Sequence, residues 1–192
     1  MFNDLVSPAA LLSTRRSGKA RDLVAPGPDA AQLETILNSA MRVPDHGKLS
    51  PWRFVVIENR EAFAALLVSA YRAEKPEAGR LEIETMEKFA RFAPCLIALL
   101  STPVAPSKIP LWEQQLSAGA VAMQLLNAAH AGGFVANWLT GWPANNAEVL
   151  AALGATGPED RMIGYVFIGT AARELEERPR PDAGAVVSFW RG

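Results

Sequence analysis

The chain has 192 residues, 49% of them hydrophobic and 20% charged, enough for one sizeable core and short for two independent ones. Lys plus Arg total 19 against 20 for Asp plus Glu, so no global basic field exists to hold nucleic acid or an anionic membrane, and any anion must be recognised locally. Cys95 is the only cysteine and His46 and His130 the only histidines, which excludes an internal disulfide and a thiolate zinc cluster.

No stretch reaches the roughly 18 to 20 uninterrupted apolar residues of a membrane helix. The basic residues near the N-terminus follow Leu11-Leu12 instead of preceding it, and Asp4 stands where an export signal carries positive charge. The expectation is a cytoplasmic protein of one domain spanning residues 1–192, with no membrane and no nucleic-acid partner.

In chain order, Arg15-Arg16-Ser17 comes first. Two adjacent guanidinium groups and a hydroxyl suit a phosphate, because forked planar donors meet its oxygens bidentately. A helix is then predicted from Asp29, whose carboxylate caps the first turn while Gln32 reaches back, with Leu33, Ile36, Leu37, Ala40 and Met41 at helical spacing. It delivers Arg42 to its end, and Pro44 stops it. A polar loop through Asp45, His46 and Lys48 leads to Pro51 and a strand, Trp52 to Ile57.

A second helix is expected from Arg60 to about Ala70. The charged stretch from Tyr71 to Phe92 reads as an exposed helix or cover with a solvated face. Cys95 to Leu100 reads as a buried strand. After Pro103, Pro106 and Pro110, residues Trp112 to about Ala131 form the longest helical pattern, apolar nearly all round between Leu116 and Ala129. Burial on every side points to packing against a second copy, hence a homodimer. Gly132-Gly133 closes that helix; strands at Phe134 to Leu139 and Met162 to Gly169 flank a short helix, Glu148 to Leu153. Residues 173–192 read as an arm, polar up to Pro181 and apolar again at Val186 to Trp190, that docks elsewhere.

The dinucleotide-binding, phosphate-loop, nucleophile-elbow and metalloprotease signatures are all missing. His130, near the end of the apolar helix, reads as a packed or dipole-stabilised histidine. His46 lies with Arg42 and Lys48 in a concentration of donors suited to an electron-rich, polyoxygenated ligand.

Taken in order, Arg-Arg-Ser, the helix ending Met41-Arg42-Val43-Pro44, the His46 loop, Pro51-Trp52-Arg53-Phe54, the Ala-rich helix closed by Gly-Gly, Trp138-Leu139-Thr140-Gly141 and Ile168-Gly169-Thr170 resemble the nitroreductase family of FMN-dependent oxidoreductases. The chain looks most like its compact single-domain bacterial branch. The resemblance implies an α+β fold, a mixed sheet flanked by helices, in an intertwined homodimer with the long central helix at its interface. It implies FMN shared between subunits, with Arg15, Arg16 and Ser17 at the phosphate and ribityl end. Arg42 and His46 would come from the other subunit, and Trp138, Leu139 and Thr140 would line one side of the isoalloxazine. Arg173 and Arg180 are candidates for further phosphate contacts. Asp45, His46, Lys48 and Ser50 depart from the Ser, Asn and Gln pattern common before Pro-Trp.

The implied activity is electron transfer from NADH or NADPH to nitroaromatic, quinone or related conjugated small-molecule acceptors in ping-pong order. The flavin carries that chemistry, so no catalytic acid, base or nucleophile and no metal is expected. Two rivals make different predictions: a flavin-binding or storage protein without turnover binds FMN that no nicotinamide bleaches, and a cofactor-free dimeric module binds none.

Overall fold

The computed structural model of the chain describes residues 1–192. Its first helix, α1 (Pro8–Thr14), was not legible in the hydrophobic pattern; it is set by Ser7, whose hydroxyl accepts from the Ala10 N–H, and by Pro8 in the first turn. A 3-10 turn at Ala20–Asp22 leads into a two-residue strand, β1 (Leu23–Val24). Helix α2 (Ala30–Ala40) starts on the expected capping box, Gln32 N–H to Asp29 Oδ1 at 2.8 Å and Asp29 N–H to Gln32 Oε1 at 3.0 Å.

Strand β2 (Trp52–Val56) is followed by α3 (Arg60–Glu74), about one turn longer than its apolar spacing suggests because Tyr71 is buried. The charged stretch is a helix, α4 (Arg80–Arg91), which buries Ile83, Met86, Phe89 and Ala90 and keeps its charges outside. Then come β3 (Cys95–Ser101), α5 (Leu111–Ala131), β4 (Val135–Leu139), a 3-10 turn at Trp142–Ala144, α6 (Ala147–Ala152), β5 (Arg161–Ala171) and a short α7 (Ala183–Val186).

The architecture is α+β. Strand β5 pairs with β1, β3 and β4, and β2 completes the sheet on β3, every pair antiparallel. Alternation explains why β3 reads as an unbroken apolar run: Leu96, Ala98 and Leu100 face α3 and α4, whereas Cys95, Ile97 and Leu99 face α2 and α5. Strand β5 repeats the division, with Tyr165 and Phe167 on the first face and Val166 and Ile168 on the second. Between Leu99 and Leu100 the register slips, so that Leu99 opposes Gly164 and Leu100 opposes Met162, leaving Ile163 as the extra residue of a bulge.

Within one chain, α5 is covered on one side only. Ala118, Val121, Ala122, Leu125, Leu126 and Ala129 are buried, while Leu116 and Met123 are exposed and Gly119 has no atom near its missing side chain. A groove of about 700 Å³ between α1, α2 and the C-terminal half of α5 continues that open side. After β5 the chain runs back over the N-terminal segment and ends in exposed Val186, Val187, Phe189 and Trp190, the last 92% accessible.

Candidate active site

The Arg-Arg-Ser segment is the exit from α1. Arg15 leaves helical geometry at the C-cap, and Asn3 holds the turn on both sides: its amide donates to Arg16 O at 3.1 Å and its Oδ1 accepts from Arg16 N at 2.7 Å. Gly18 then lies so near the sheet that a Cβ would stand 3.0 Å from Val135 Cγ1 and 3.1 Å from Leu23 Cδ2. Asn137 of β4 donates from Nδ2 to Gly18 O at 2.5 Å, which ties the segment to the strand ending in Trp138 and Leu139. The Asn137 Oδ1 is buried without a partner.

The two arginines have different surroundings. Arg15 donates to Ser17 Oγ at 3.3 Å and has no carboxylate partner. Partial burial, and then the neighbouring Arg180 and Arg16 guanidiniums, pull its pKa below that of a free arginine. Arg16 instead turns to the C-terminal strap, donating from Nε to Glu176 O at 2.5 Å, and from Nη1 to Ser17 O at 3.2 Å. Lys19 joins the same latch through Glu176 at 3.3 Å. A cavity of about 180 Å³ beside them is lined by Arg16, Ser17, Lys19, Asn137 and Arg173 among others. Of the two C-terminal candidates, Arg180 reaches the electrostatic neighbourhood of Arg15, whereas Arg173 lies 3.8 Å from Asp22.

Trp138, Leu139 and Thr140 continue along β4. The Trp138 indole donates to Ile163 O at 2.9 Å, the carbonyl freed by the β5 bulge. Its ring lies across Gly164, where any side chain would collide with it. Gly141, at φ +77°, turns the chain, and Trp142 donates its indole N–H to Glu74 at 3.0 Å.

Arg42 and His46 lie elsewhere. Arg42 is exposed beyond α2 and forms no side-chain hydrogen bond or ion pair. Asp45 organises the loop by accepting from Leu49 N at 3.2 Å and Ser50 N at 2.8 Å, while Gly47 and Lys48 take positive φ. His46 Nδ1 lies 2.7 Å from Glu113 Oε2 in the first turn of α5, and Ser117 donates to Pro44 O at 3.0 Å. The loop is thus fixed to the N-terminal end of α5. Arg15 neighbours His130 at the other end. With 1.5 Å of rise per residue, those ends are about 25 Å apart.

His130 is packed, 1% accessible, with Nδ1 on Phe134 O at 3.2 Å and Nε2 unpartnered. Burial, reinforced by Arg15, lowers its pKa to about 4, so the packed alternative holds and a dipole-stabilised cation does not.

The sequence pattern of the nitroreductase family matches residues 12–170. The chain belongs to the nitroreductase family. A Haemophilus influenzae protein with the provisional name NAD(P)H nitroreductase is 38% identical over 172 residues, covering 88% of this chain and 91% of its own length. YdjA of Escherichia coli K12, provisionally named likewise, is 35% identical over 162 residues, covering 83% and 86%. Among solved structures, a nitroreductase-like protein from Bacillus cereus superposes with a TM-score of 0.78 at 21% identity over 97% of each chain. A variant of an FMN- and NADPH-dependent nitroreductase from a Sphingopyxis strain gives 0.72 at 20% identity, covering 96% of this chain and 99% of that one. These two structures share the fold.

For this nitroreductase-family chain the sequence pointed to both basic segments but not to the residues that hold them. Asn3, Glu74, Glu113 and Asn137 each act on a partner distant in sequence, and no local pattern marks them. The arm at residues 173–192 lies beyond the matched region.

Proposed function

We propose that the protein is an FMN-dependent oxidoreductase passing electrons from NADH or NADPH to a nitroaromatic, quinone or related conjugated acceptor in ping-pong order. The observation that carries this reading is Arg15: a partly buried guanidinium beside Arg180, Arg16 and the Ser17 hydroxyl, with no carboxylate to neutralise it. Such a donor set fits a phosphate dianion, which would relieve the mutual repulsion of the cations. Adjacent β4, tied to this segment by the Asn137–Gly18 bond, ends in Trp138 and Leu139 with Thr140 next in the chain, and a planar ring joined to that phosphate would lie along it.

When bound, FMN supplies the hydride and electron chemistry, and the protein's task is to hold and orient it. Arg15 and Ser17 anchor the phosphate, Arg180 adds charge from the strap, and Arg16 contributes at the ribityl end while latching that strap. The backbone and side chains of the Trp138–Thr140 segment line one side of the ring. Arg42 and His46 of the partner subunit supply donors at the ring edge, where negative charge develops on reduction. Within one chain the His46 loop is about 25 Å of helix away from Arg15, farther than one FMN reaches. The two groups meet at one cofactor only in a homodimer, and the uncovered side of α5, with Leu116 and Met123, is the surface available for it. The apolar end of the arm is read as docking on the partner.

An anaerobic absorbance spectrum of the FMN-supplemented, desalted protein, taken before and after each nicotinamide, tests the activity. Flavin bands that persist and bleach support the enzyme. Bands that persist without bleaching favour flavin storage, and a spectrum without bands rejects flavin binding altogether.

A further inference from the structure

We propose that Glu74, at the end of α3, is a positioning residue for the flavin-lining segment Trp138–Thr140; this rests on the flavin reading above. The segment is held at both ends by indoles. Trp138 is fixed on one side by its bond to Ile163 O. On the other side Trp142, beyond the Gly141 turn, donates to Glu74 Oε1 at 3.0 Å, and Asn146 donates from Nδ2 to Glu74 Oε2 at 3.1 Å. The Trp142 ring also meets Tyr71 edge-on at 4.8 Å between centroids. One carboxylate therefore ties the chain that follows Thr140 to a helix on the far face of the sheet.

The residue type matters because both partners only donate here. An indole offers N–H alone, and Asn146 cannot turn its oxygen toward Glu74, since Oδ1 accepts from Val149 N at 3.1 Å to cap α6. A carboxylate accepts twice; a glutamine would set its own NH2 against one donor. Those two bonds, Trp142 first, hold the Glu74 carboxyl below the usual carboxylate range. The charge and the double acceptor act together on the loop that carries Thr140.

The test compares FMN dissociation constants and the visible circular dichroism of bound flavin in the wild type, Glu74→Gln, Glu74→Ala, Trp142→Phe and the Glu74→Ala/Trp142→Phe double variant. Glu61→Ala, which removes the Arg91 ion pair joining α3 to α4, is the control for a purely structural loss. Glu74→Ala and Trp142→Phe each weaken FMN binding several-fold and change the flavin dichroism, the double variant goes no further than the worse single, and Glu74→Gln falls between. Glu61→Ala leaves the flavin affinity and dichroism unmoved. Folded Glu74→Ala protein with wild-type affinity and dichroism overturns the inference alone; should that variant fail to fold, the same result for Trp142→Phe or Glu74→Gln overturns it. A wild type that binds no FMN overturns the flavin reading and, with it, this role for Glu74.

Discussion

Replacing Gly164 by alanine tests whether the β5 bulge exists to seat Trp138. An alanine Cβ at Gly164 would overlap Nε1 and Cδ1 of the Trp138 indole and lie 2.9 Å from Leu139 O. The indole is the part able to move, and moving it breaks its 2.9 Å bond to Ile163 O. Overpacking of this kind costs about 1 to 3 kcal/mol, and the lost hydrogen bond adds about 1 kcal/mol. A destabilisation of at least about 2 kcal/mol corresponds, in a chain of this size, to a fall of at least about 4 °C in melting temperature. Differential scanning calorimetry of Gly164→Ala reads that fall, and FMN titration reads weaker binding as the ring cover shifts. A variant that melts with the wild type and binds FMN equally well would refute both the packing argument and the place given to Trp138.

Arg15→Ala removes a charge-assisted contact of roughly 1.5 to 3 kcal/mol, so FMN affinity drops tenfold or more in a fluorescence titration. Arg16→Ala, which mainly releases the Glu176 latch, raises protease cleavage within residues 173–180. His130 has a folded pKa of about 4 against an ordinary 6.5, so the unfolded chain binds the extra proton between those values. Its contribution is complete above pH 6.5 and is lost as pH falls toward 4, on the order of 3 kcal/mol, and urea titrations of His130→Gln should show a flatter acid limb. Buried Cys95, its thiol pushed up to about 11 by desolvation, resists alkylation at pH 8 in the native protein and reacts once unfolded in urea.

Much of this fold is written locally. The Asp29–Gln32 box, the Pro44 stop, the Gly-Gly end of α5 and the alternation hidden in β3 each follow from a few adjacent residues. Strand β1 has two residues and exists because β5 pairs with it, so no intrinsic signal marks it. The last turn of α3 looked solvated because Arg72 and Glu74 are charged, yet Tyr71 beside them is buried against Trp142. The two basic segments of the candidate site were legible because clustered cations announce an anion. Their supports were not: Asn137 meets Gly18 across 119 positions, Arg16 meets Glu176 across 160, and Glu74 meets Trp142 across 68. Such pairs form only once the sheet has brought their elements together.

The most direct measurement counts FMN in a mixed dimer formed by co-expressing an Arg15→Ala chain with a His46→Ala chain, each of which as a homodimer damages every site. If one site takes Arg15 from one chain and His46 from the other, the heterodimer concentrates both lesions in one site and leaves the second intact, so it retains about one tightly bound FMN per dimer that NAD(P)H bleaches. If each chain builds its own site, every site in the heterodimer carries a lesion, and a heterodimer with no more tightly bound FMN than either homodimer would contradict the shared flavin centre.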